Sequence, residues 1–406
     1  MMTTTSTTMT TMTTTNVTDR TDITDVIELF IAVGEGGKIF TAQPPNENLS
    51  QDSSLDLNWV TIENLQREID GVVVDYEFNL NAITIGNGVA VAVGQDGAIF
   101  HSVNGVIWDE GYFDGFHLLR GYNGELSSLR AVHGFTLGNE HCFLACSDKG
   151  EIIWSSDALL WRPLKVDNGV PQLTIDSSGM ALNAIASSRL PRGGVEIVIA
   201  GEKGKVWSCR LTGDMSIRQA WNKQNSNGFN LFHFNPVSFP PIENVSQEDI
   251  DFTSIAFGGL HHRYVLVASS SVDTIPKAYT IEVENSDLFQ EQIGLVILPQ
   301  TVFPADSIGG RGTNLSKSPE VQDSKVVWVD DVGSRTFPNL RSVVYNSQTR
   351  WFVAAGENGH IFRSWTGSSW QVFGNSNFSG ANTVFYGAGH YFVAGQGGRI
   401  SHIPFT

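Results

Sequence analysis

The 406-residue sequence is poor in cysteine, in charged residues and in long apolar runs. Its three cysteines, Cys142, Cys146 and Cys209, are too few for a disulfide framework and fit a reducing environment. Only 25 residues are lysine or arginine, they are scattered, and the formal net charge is −17, so nucleic acid and anionic membranes are poor partners. No stretch of about 18 apolar residues occurs, and we therefore expect no membrane-spanning helix.

The amino-terminal segment, MMTTTSTTMTTMTTT, lacks the basic and apolar regions of a secretion signal. We therefore expect the protein in a virion or in the host cytoplasm. Threonine occupies ten of the first sixteen positions, too little apolar surface to fold alone. The composition predicts an extended Thr-rich N-terminal arm over residues 1–18, suited to adding a strand to a neighbouring sheet, and a folded domain over 19–406.

One short pattern recurs along the chain: an apolar strand, a small residue, a polar turn that closes on glycine, and a second strand. The copies are FIAVGEGGKIF, VAVAVGQDGAIF, FLACSDKGEII, IVIAGEKGKVW, FVAAGENGHIF and FVAGQGGRI, with a degenerate copy in YVLVASSSVD. The first four closing glycines, Gly37, Gly97, Gly150 and Gly204, follow one another at intervals of 53 to 60 residues. A four-stranded propeller blade needs about 40 to 50 residues, so each copy fits one blade with loops.

Two further patterns complete the repeat. Three copies place serine five residues and tryptophan eleven residues after the closing glycine, as in Ser102 and Trp108. The Asn104-Gly105 pair between them predicts a type I′ hairpin turn. An apolar strand such as LNAITI or LRSVVY precedes most copies. Together these patterns predict an all-β fold: a single β-propeller of about seven four-stranded blades.

The remaining segments are irregular. Residues 284–338 exceed what a blade needs and are predicted to be an inter-blade insertion. Helical periodicity is not sustained anywhere, and the best short candidate for a helix is 62–70. The last copy shows three strands, and residues 16–23 are the predicted source of a fourth that closes the ring.

The consensus A-V-G-x-x-G-x-I-x-x-S-x-[N/D]-G-x-x-W resembles the BNR or Asp-box-like β-propeller repeat, although its Ser-to-Trp spacing is one residue shorter than usual. Such repeats occur in sialidases, in photosystem II assembly-factor-like proteins and in phage proteins. The resemblance extends from about Phe30 to the carboxyl end and implies the architecture rather than an activity.

A sialidase-like reading requires three arginines that grip a carboxylate and a tyrosine nucleophile. Arg189-Leu190-Pro191 matches the family's Arg-Ile/Leu-Pro motif by letter, but it lies in the middle of the chain and lacks the preceding aromatic residue. We identify no catalytic residues, no metal ligands and no cofactor site, and expect that the protein is not an enzyme. Candidate binding residues are the aromatics of the loop 228–241, namely Phe229, Phe232, Phe234 and Phe239. The alternative is that this loop folds back over the propeller rim.

These observations predict a non-catalytic binding or scaffold propeller whose partners are proteins, as subunits of a larger assembly. The specific hypothesis is a virion structural protein, either a phage tail protein or a capsid-associated one. The alternatives are an assembly-factor-like propeller that chaperones a larger complex and a sialidase-like propeller that binds or hydrolyses glycans.

Overall fold

A computed structural model of the chain describes residues 8–15, 26–43, 57–62, 65–69, 71–113, 127–164, 179–213, 216, 234–237, 246–259, 262–272, 277–282, 297–303, 338–367, 369–375, 380–387, 389–395 and 399–403. These residues form an all-β structure in which all strands except one two-stranded hairpin build the seven blades of a propeller. Within the described residues, the helical elements are single 3-10 turns.

Blade 1 contains β1 (Thr8–Thr15), β2 (Val26–Val33), β3 (Ile39–Ala42) and β4 (Val60–Ile62). A hairpin of β5 (Gln66–Ile69) and β6 (Val72–Asp75) precedes blade 2, which contains β7 (Leu80–Gly86), β8 (Val89–Gly94), β9 (Ile99–Ser102) and β10 (Asp109–Glu110). Blade 3 contains β12 (Leu129–Leu137), β13 (Glu140–Ser147), β14 (Ile152–Ser155) and β15 (Leu160–Pro163), with β11 (Tyr112–Phe113) parallel to β15. Blade 4 contains β16 (Leu182–Arg189), β17 (Val195–Gly201), β18 (Val206–Leu211) and β19 (Asn235–Pro236).

Blade 5 contains β20 (Asp251–Gly258), β21 (Arg263–Ser269), β22 (Ala278–Glu282) and β23 (Ile297–Phe303). Blade 6 contains β24 (Leu340–Asn346), β25 (Trp351–Gly356), β26 (His360–Ser364) and β27 (Ser369–Asn375), and its outer strand pairs in parallel with β23. Blade 7 contributes β28 (Ala381–Gly387), β29 (His390–Gly395) and β30 (Ile400–Ile403). Within each blade, consecutive strands pair antiparallel.

The second strand of each blade is the main structural layer of the core. Its residues are buried on both faces because the neighbouring blades pack against it, as in the fully buried run from Val195 to Gly201. Separate apolar clusters fill the spaces between successive blades. This second strand is the apolar strand that opens each copy of the repeated sequence pattern.

Blades 1 and 7 meet and close the ring. Phe30 and Ala32 of β2 pack against Phe392 and Ala394 of β29, and the rings of Phe30 and Phe392 lie 5.0 Å apart. Closure leaves the innermost strands around a central channel and removes the lateral sheet edges that an open array would expose. The predicted seven-bladed architecture is thereby confirmed, whereas residues 16–23 lie outside the described part of the chain.

Three predicted segments have a different role in the structure. Part of the predicted arm is β1, the innermost strand of blade 1, where Thr8–Thr15 pairs with Val26–Val33 of the same chain. The predicted boundary at residue 18 therefore falls between two strands of one sheet. Part of the predicted insertion 284–338 is β23, the fourth strand of blade 5. The helix candidate 62–70 contains the strand β5, because pairing with β6 overrides its weak local helical pattern.

Candidate functional site

A cavity of about 740 Å³ opens at the end of the channel where the innermost strands begin. Its wall combines the starts of these strands in blades 2 to 7 with the turns that follow the second strands of blades 4, 5 and 6. We call this cavity the channel mouth. Residues from six of the seven blades line it.

A repeated β-bulge aims polar side chains into the channel mouth. In each of blades 2 to 7, the pairing between the innermost and second strands shifts by one residue near the start of the innermost strand. A bulge of this kind leaves one residue unpaired and redirects its side chain. The residues at the bulge are Asn81, Arg130, Asn183, Thr253, Arg341 and Asn382, and all six line the mouth.

Several bulge residues also tie each blade to the next one. Asn81 Nδ2 donates to the carbonyl oxygen of Leu129 at 2.8 Å, and Asn183 Nδ2 donates to that of Phe252 at 2.9 Å. Thr253 Oγ1 donates to the carbonyl oxygen of Leu340 at 2.8 Å. These bonds hold the Asn81, Asn183 and Thr253 side chains in fixed positions at the wall of the mouth.

The sequence analysis missed this ring, although a signal was present. The predicted first strands LNAITI, LRAV, LNAI, FTSIAF, LRSVVY and ANTVFY each carry a polar or charged residue at the second position of an otherwise apolar start. Aligning these strands identifies the position. Only the ring closure shows that the six side chains converge.

Charge is divided unevenly around the channel mouth. Among the described residues that line it, two are arginines and five are carboxylates. Arg341 Nη2 lies 3.2 Å from Glu357 Oε1, and Asn339 Nδ2 donates to Glu357 Oε2 at 3.1 Å. Arg130 is exposed on the side of blade 3, and no ion pair joins it to a described residue.

The other four carboxylates of the channel mouth lie together on the side of blades 4 and 5. They are Glu202, Glu248, Asp249 and Asp251. Glu248 and Asp249 are exposed, and Asp251 Oδ1 accepts a hydrogen bond from the backbone N–H of Lys203 at 3.1 Å. This quadrant carries negative charge toward solvent and favours a cationic group on the partner.

Deeper in the channel wall, His133 of β12 and Ser187 of β16 join blades 3 and 4. Their Nε2 and Oγ atoms lie 2.9 Å apart. Burial, with a smaller contribution from the nearby His141, lowers the pKa of His133 to about 4. The imidazole is therefore neutral near pH 7, and no carboxylate partner of its other nitrogen occurs among the described residues. The geometry is that of a structural hydrogen bond between blades.

The Ser-to-Trp turns form a local network of side-chain hydrogen bonds. The Oδ1 atom of Asp157 accepts bonds from the backbone N–H groups of Leu159 at 3.0 Å and Leu160 at 2.9 Å, and from the Ser155 hydroxyl at 2.9 Å. Trp161 Nε1 donates to the Ala158 carbonyl at 2.9 Å. These side-chain hydrogen bonds hold the turn in place.

The same network forms around Asn104, whose Oδ1 atom accepts bonds from the N–H groups of Val106 and Ile107. The predicted type I′ geometry is wrong here, because Gly105 has a φ of 73° and Asn104 is not in the left-handed region. Consecutive left-handed residues occur instead in the glycine-closing turns, for example Asp96 and Gly97 at φ 54° and 66°. Side-chain capping at Asn104 replaces the backbone geometry that the Asn-Gly pair predicted.

Of the four candidate phenylalanines in the loop 228–241, the structure describes Phe234, and this residue does not form an exposed surface. Phe234 is 5% exposed and belongs to the apolar cluster between blades 3 and 4 that also contains Trp207. Its ring is therefore unavailable to a partner, which corrects the prediction for this residue. Phe229, Phe232 and Phe239 lie outside the described residues.

The other sequence candidates occupy structural positions. Cys142 and Cys146 are buried in the cluster between blades 3 and 4, and burial raises the pKa of both thiols. Arg189 ends the innermost strand of blade 4, at the opposite end of the channel from the mouth. In the described part of the chain, no group of three potential metal ligands gathers. No helix among these residues is long and apolar enough to cross a membrane.

The comparisons with known proteins identify the class of fold. No protein-family model matches the sequence, and no curated protein matches it. The structure is similar to U3-55K, with 10% identity, a TM-score of 0.52 and coverage of 93% of this chain and 92% of that chain. It is also similar to the Cps50 (Swd1) β-propeller domain of Myceliophteria thermophila, with 12% identity, a TM-score of 0.51 and coverage of 97% and 100%.

A third similar structure is YCF48 bound to a D1 peptide, with 13% identity, a TM-score of 0.49 and coverage of 93% of this chain and 88% of that chain. At these identities the shared feature is the fold. The chain is a seven-bladed β-propeller.

Proposed function

We propose that the protein is a non-catalytic scaffold that binds a protein partner at the channel mouth and serves as a subunit of a larger assembly. The observation that carries this proposal is the ring of six bulge side chains around a cavity of about 740 Å³. The ring brings polar side chains from six of the seven blades to one cavity, which suits a polar loop or chain end of a partner.

The charge distribution indicates the chemistry of that partner segment. The acidic quadrant of the mouth favours lysine or arginine, and a formal net charge of −17 steers basic surfaces toward the protein. The specific form of the proposal is a virion structural protein, of a phage tail or associated with a capsid, located in the virion or the host cytoplasm. It is supported by the phage-like repeat and the Thr-rich first strand.

The test is affinity purification from the native source, with mass spectrometry of the proteins that remain bound to the full-length chain. The mouth variant is Glu248→Lys, and the matched control is Glu35→Lys. Both glutamates are exposed and lie in 3-10 turns, but only Glu248 lines the mouth. We expect the wild type and the control to retain the same subunits and Glu248→Lys to lose them.

The identity of the retained proteins separates the specific roles. Capsid or tail subunits support the virion role, whereas subunits of an immature enzyme complex support an assembly factor. Equal retention by all three baits would overturn binding at the channel mouth. Purification of the wild type without any partner would overturn the scaffold function.

A further inference from the structure

The hairpin of β5 and β6 lies outside the seven blades and exposes an apolar strand. The three valines of β6 are exposed to 61% at Val72, 60% at Val73 and 37% at Val74. Phe78, just after the strand, is 52% exposed. Edge strands of soluble proteins are normally protected by lysine, proline, a bulge or a covering segment. None of these protects β6 among the described residues.

The hairpin is nevertheless held firmly on its other side. Arg67 Nε lies 2.7 Å from Glu110 Oε1 of blade 2, and the backbone N–H of Glu68 donates to Glu110 Oε2 at 2.9 Å. After β6, the Tyr76 hydroxyl contacts the carbonyl oxygens of Asn79 and Gln95, each at 3.1 Å. The outer edge of β5 is therefore occupied by the propeller, and β6 is the free edge of an anchored hairpin.

The register shows which backbone groups of β6 are available. The N–H of Tyr76 donates to the Leu65 carbonyl at 2.7 Å, which makes this opposed pair a hydrogen-bonded one. In an antiparallel ladder, hydrogen-bonded and non-hydrogen-bonded pairs of opposed residues alternate. The pair of Val74 and Arg67 is therefore hydrogen-bonded. The pairs on either side of it, Val73 with Glu68 and Asp75 with Gln66, are not hydrogen-bonded. The N–H and C=O groups of Val73 and Asp75 therefore point away from β5. No described residue accepts from or donates to them.

We propose that the free edge of β6 binds an extended basic segment of a partner protein as an added strand. The backbone groups of Val73 and Asp75 supply the ladder, and the valines supply apolar contacts on both faces. The exposed carboxylates of Glu68, Asp75 and Glu77 border this edge and select lysine or arginine in the partner.

A second copy of this chain fits the edge less well. Two β6 strands pairing edge to edge would bring both sets of these carboxylates together, on chains that each carry a formal charge of −17. The site is separate from the channel mouth, because its hairpin is anchored to the outer strand of blade 2. It can therefore exist whether or not the mouth binds a partner.

The experiment uses full-length protein and a synthetic seven-residue peptide that alternates lysine and valine, with a matched peptide in which glutamate replaces lysine. Binding is measured by calorimetry, and hydrogen exchange of the β6 amides locates it. The test variant is Val73→Pro, which removes an outward N–H that β5 does not use. The control is Val73→Thr, which keeps that N–H and the β-branched shape.

We expect the lysine peptide to slow exchange at Val73 and Asp75 in the wild type and in Val73→Thr. Val73→Pro should lower its affinity at least about tenfold, because the ladder loses a main-chain hydrogen bond and the proline ring blocks close approach. Unchanged melting temperature and unchanged exchange in the blades show that the variant is folded. The Glu248→Lys variant should bind the lysine peptide as tightly as the wild type does. This result would separate the β6 site from the channel mouth.

Three outcomes would overturn the proposal: no change in exchange at Val73 and Asp75, equal binding by Val73→Pro, or equal binding of the glutamate peptide. A dimer in light scattering that Val73→Pro abolishes would show that a second copy occupies the edge instead.

Discussion

The guanidinium Nε of Arg67 lies 2.7 Å from the Oε1 atom of Glu110, across 43 residues of sequence. The Arg67 side chain is 5% exposed and that of Glu110 is 18% exposed, so solvent screens this ion pair poorly. The second oxygen of Glu110 accepts the backbone N–H of Glu68. One carboxylate thus attaches the β5–β6 hairpin to the outer strand of blade 2.

Glu110→Gln should detach this hairpin. The substitution leaves the Arg67 guanidinium buried without its counter-charge, which costs on the order of 3 kcal/mol. Because the hairpin is small, we expect faster hydrogen exchange in residues 65–76 with little change in the blades. The control is Glu77→Gln, which changes an exposed glutamate just after β6. Equal exchange rates in both variants would show that the ion pair does not hold the hairpin.

The glycine that ends the second strand of a blade is required by close packing rather than by its φ angle. Gly356 is extended, with φ of −168°, but a Cβ atom there would lie 2.0 Å from the Asn339 carbonyl oxygen. That carbonyl also accepts the N–H of Glu357 at 2.9 Å, so it has little freedom to move. Gly201 is similar, since its Cβ would lie 2.2 Å from the Ala181 oxygen.

Gly356→Ala should therefore destabilise the protein by about 3 kcal/mol, measured by denaturant unfolding. Gly374→Ala is the matched control, because nothing lies within 4 Å of the Cβ position at Gly374. We expect the control to unfold at the wild-type midpoint. A Gly356→Ala midpoint equal to that of the control would contradict the steric argument.

The pH dependence of stability should contain a contribution from His133. Burial and the nearby His141 lower its pKa to about 4, below the value near 6.5 of an unfolded chain. The unfolded state therefore binds more protons between these two values, and stability falls as the pH decreases from about 6.5 to 4. The expected loss is on the order of 3 kcal/mol.

His133→Asn should flatten this part of the profile, as measured by denaturant unfolding at several pH values. The control is His262→Asn, an exposed histidine outside the channel wall. The quantity to compare is the change in the free energy of unfolding per pH unit, because either substitution also changes the stability at every pH. A slope that is unchanged in His133→Asn would contradict a buried neutral imidazole.

Asp157 should stabilise its turn as an ionised acceptor. Burial raises the pKa of this carboxyl, but the N–H groups of Leu160 and Leu159, the Ser155 hydroxyl and Arg162 outweigh it, so the pKa lies below the usual value. Its contribution is present above the pKa of the unfolded chain and is lost as the pH falls through the folded-state value.

Asp157→Ala should lower the melting temperature at pH 7, because two backbone N–H groups lose their acceptor. Asp157→Asn keeps an acceptor oxygen, as Asn104 does in blade 2, but lacks the negative charge, and should melt between Asp157→Ala and the wild type at pH 7. The melting temperature of the wild type should converge on that of Asp157→Asn in acid, where the Asp157 carboxyl is also neutral. A constant difference between these two proteins down to pH 2 would contradict the ionised role.

The sequence predicted most of the fold because each blade repeats local information. The glycine-closing turns need left-handed backbone at Gly97 and Gly359, and this need is visible in the letters themselves. Of the four candidate binding residues, the structure describes only Phe234, and the prediction for that residue was wrong. The aromatic loop was chosen for its composition, and Phe234 is in the core, since burial depends on which blade covers the loop.

The sequence by itself indicated about seven blades, their second strands and the glycine-closing turns, because these depend on residues close together in the chain. Only the tertiary structure decided that Asn81, Arg130 and Arg341 share one cavity, and that Thr8–Thr15 completes blade 1. It also decided that Glu110 occupies the edge of β5 and leaves that of β6 free. These relationships join residues from different blades or from distant parts of the chain, and ring closure, rather than any local pattern, brings them together.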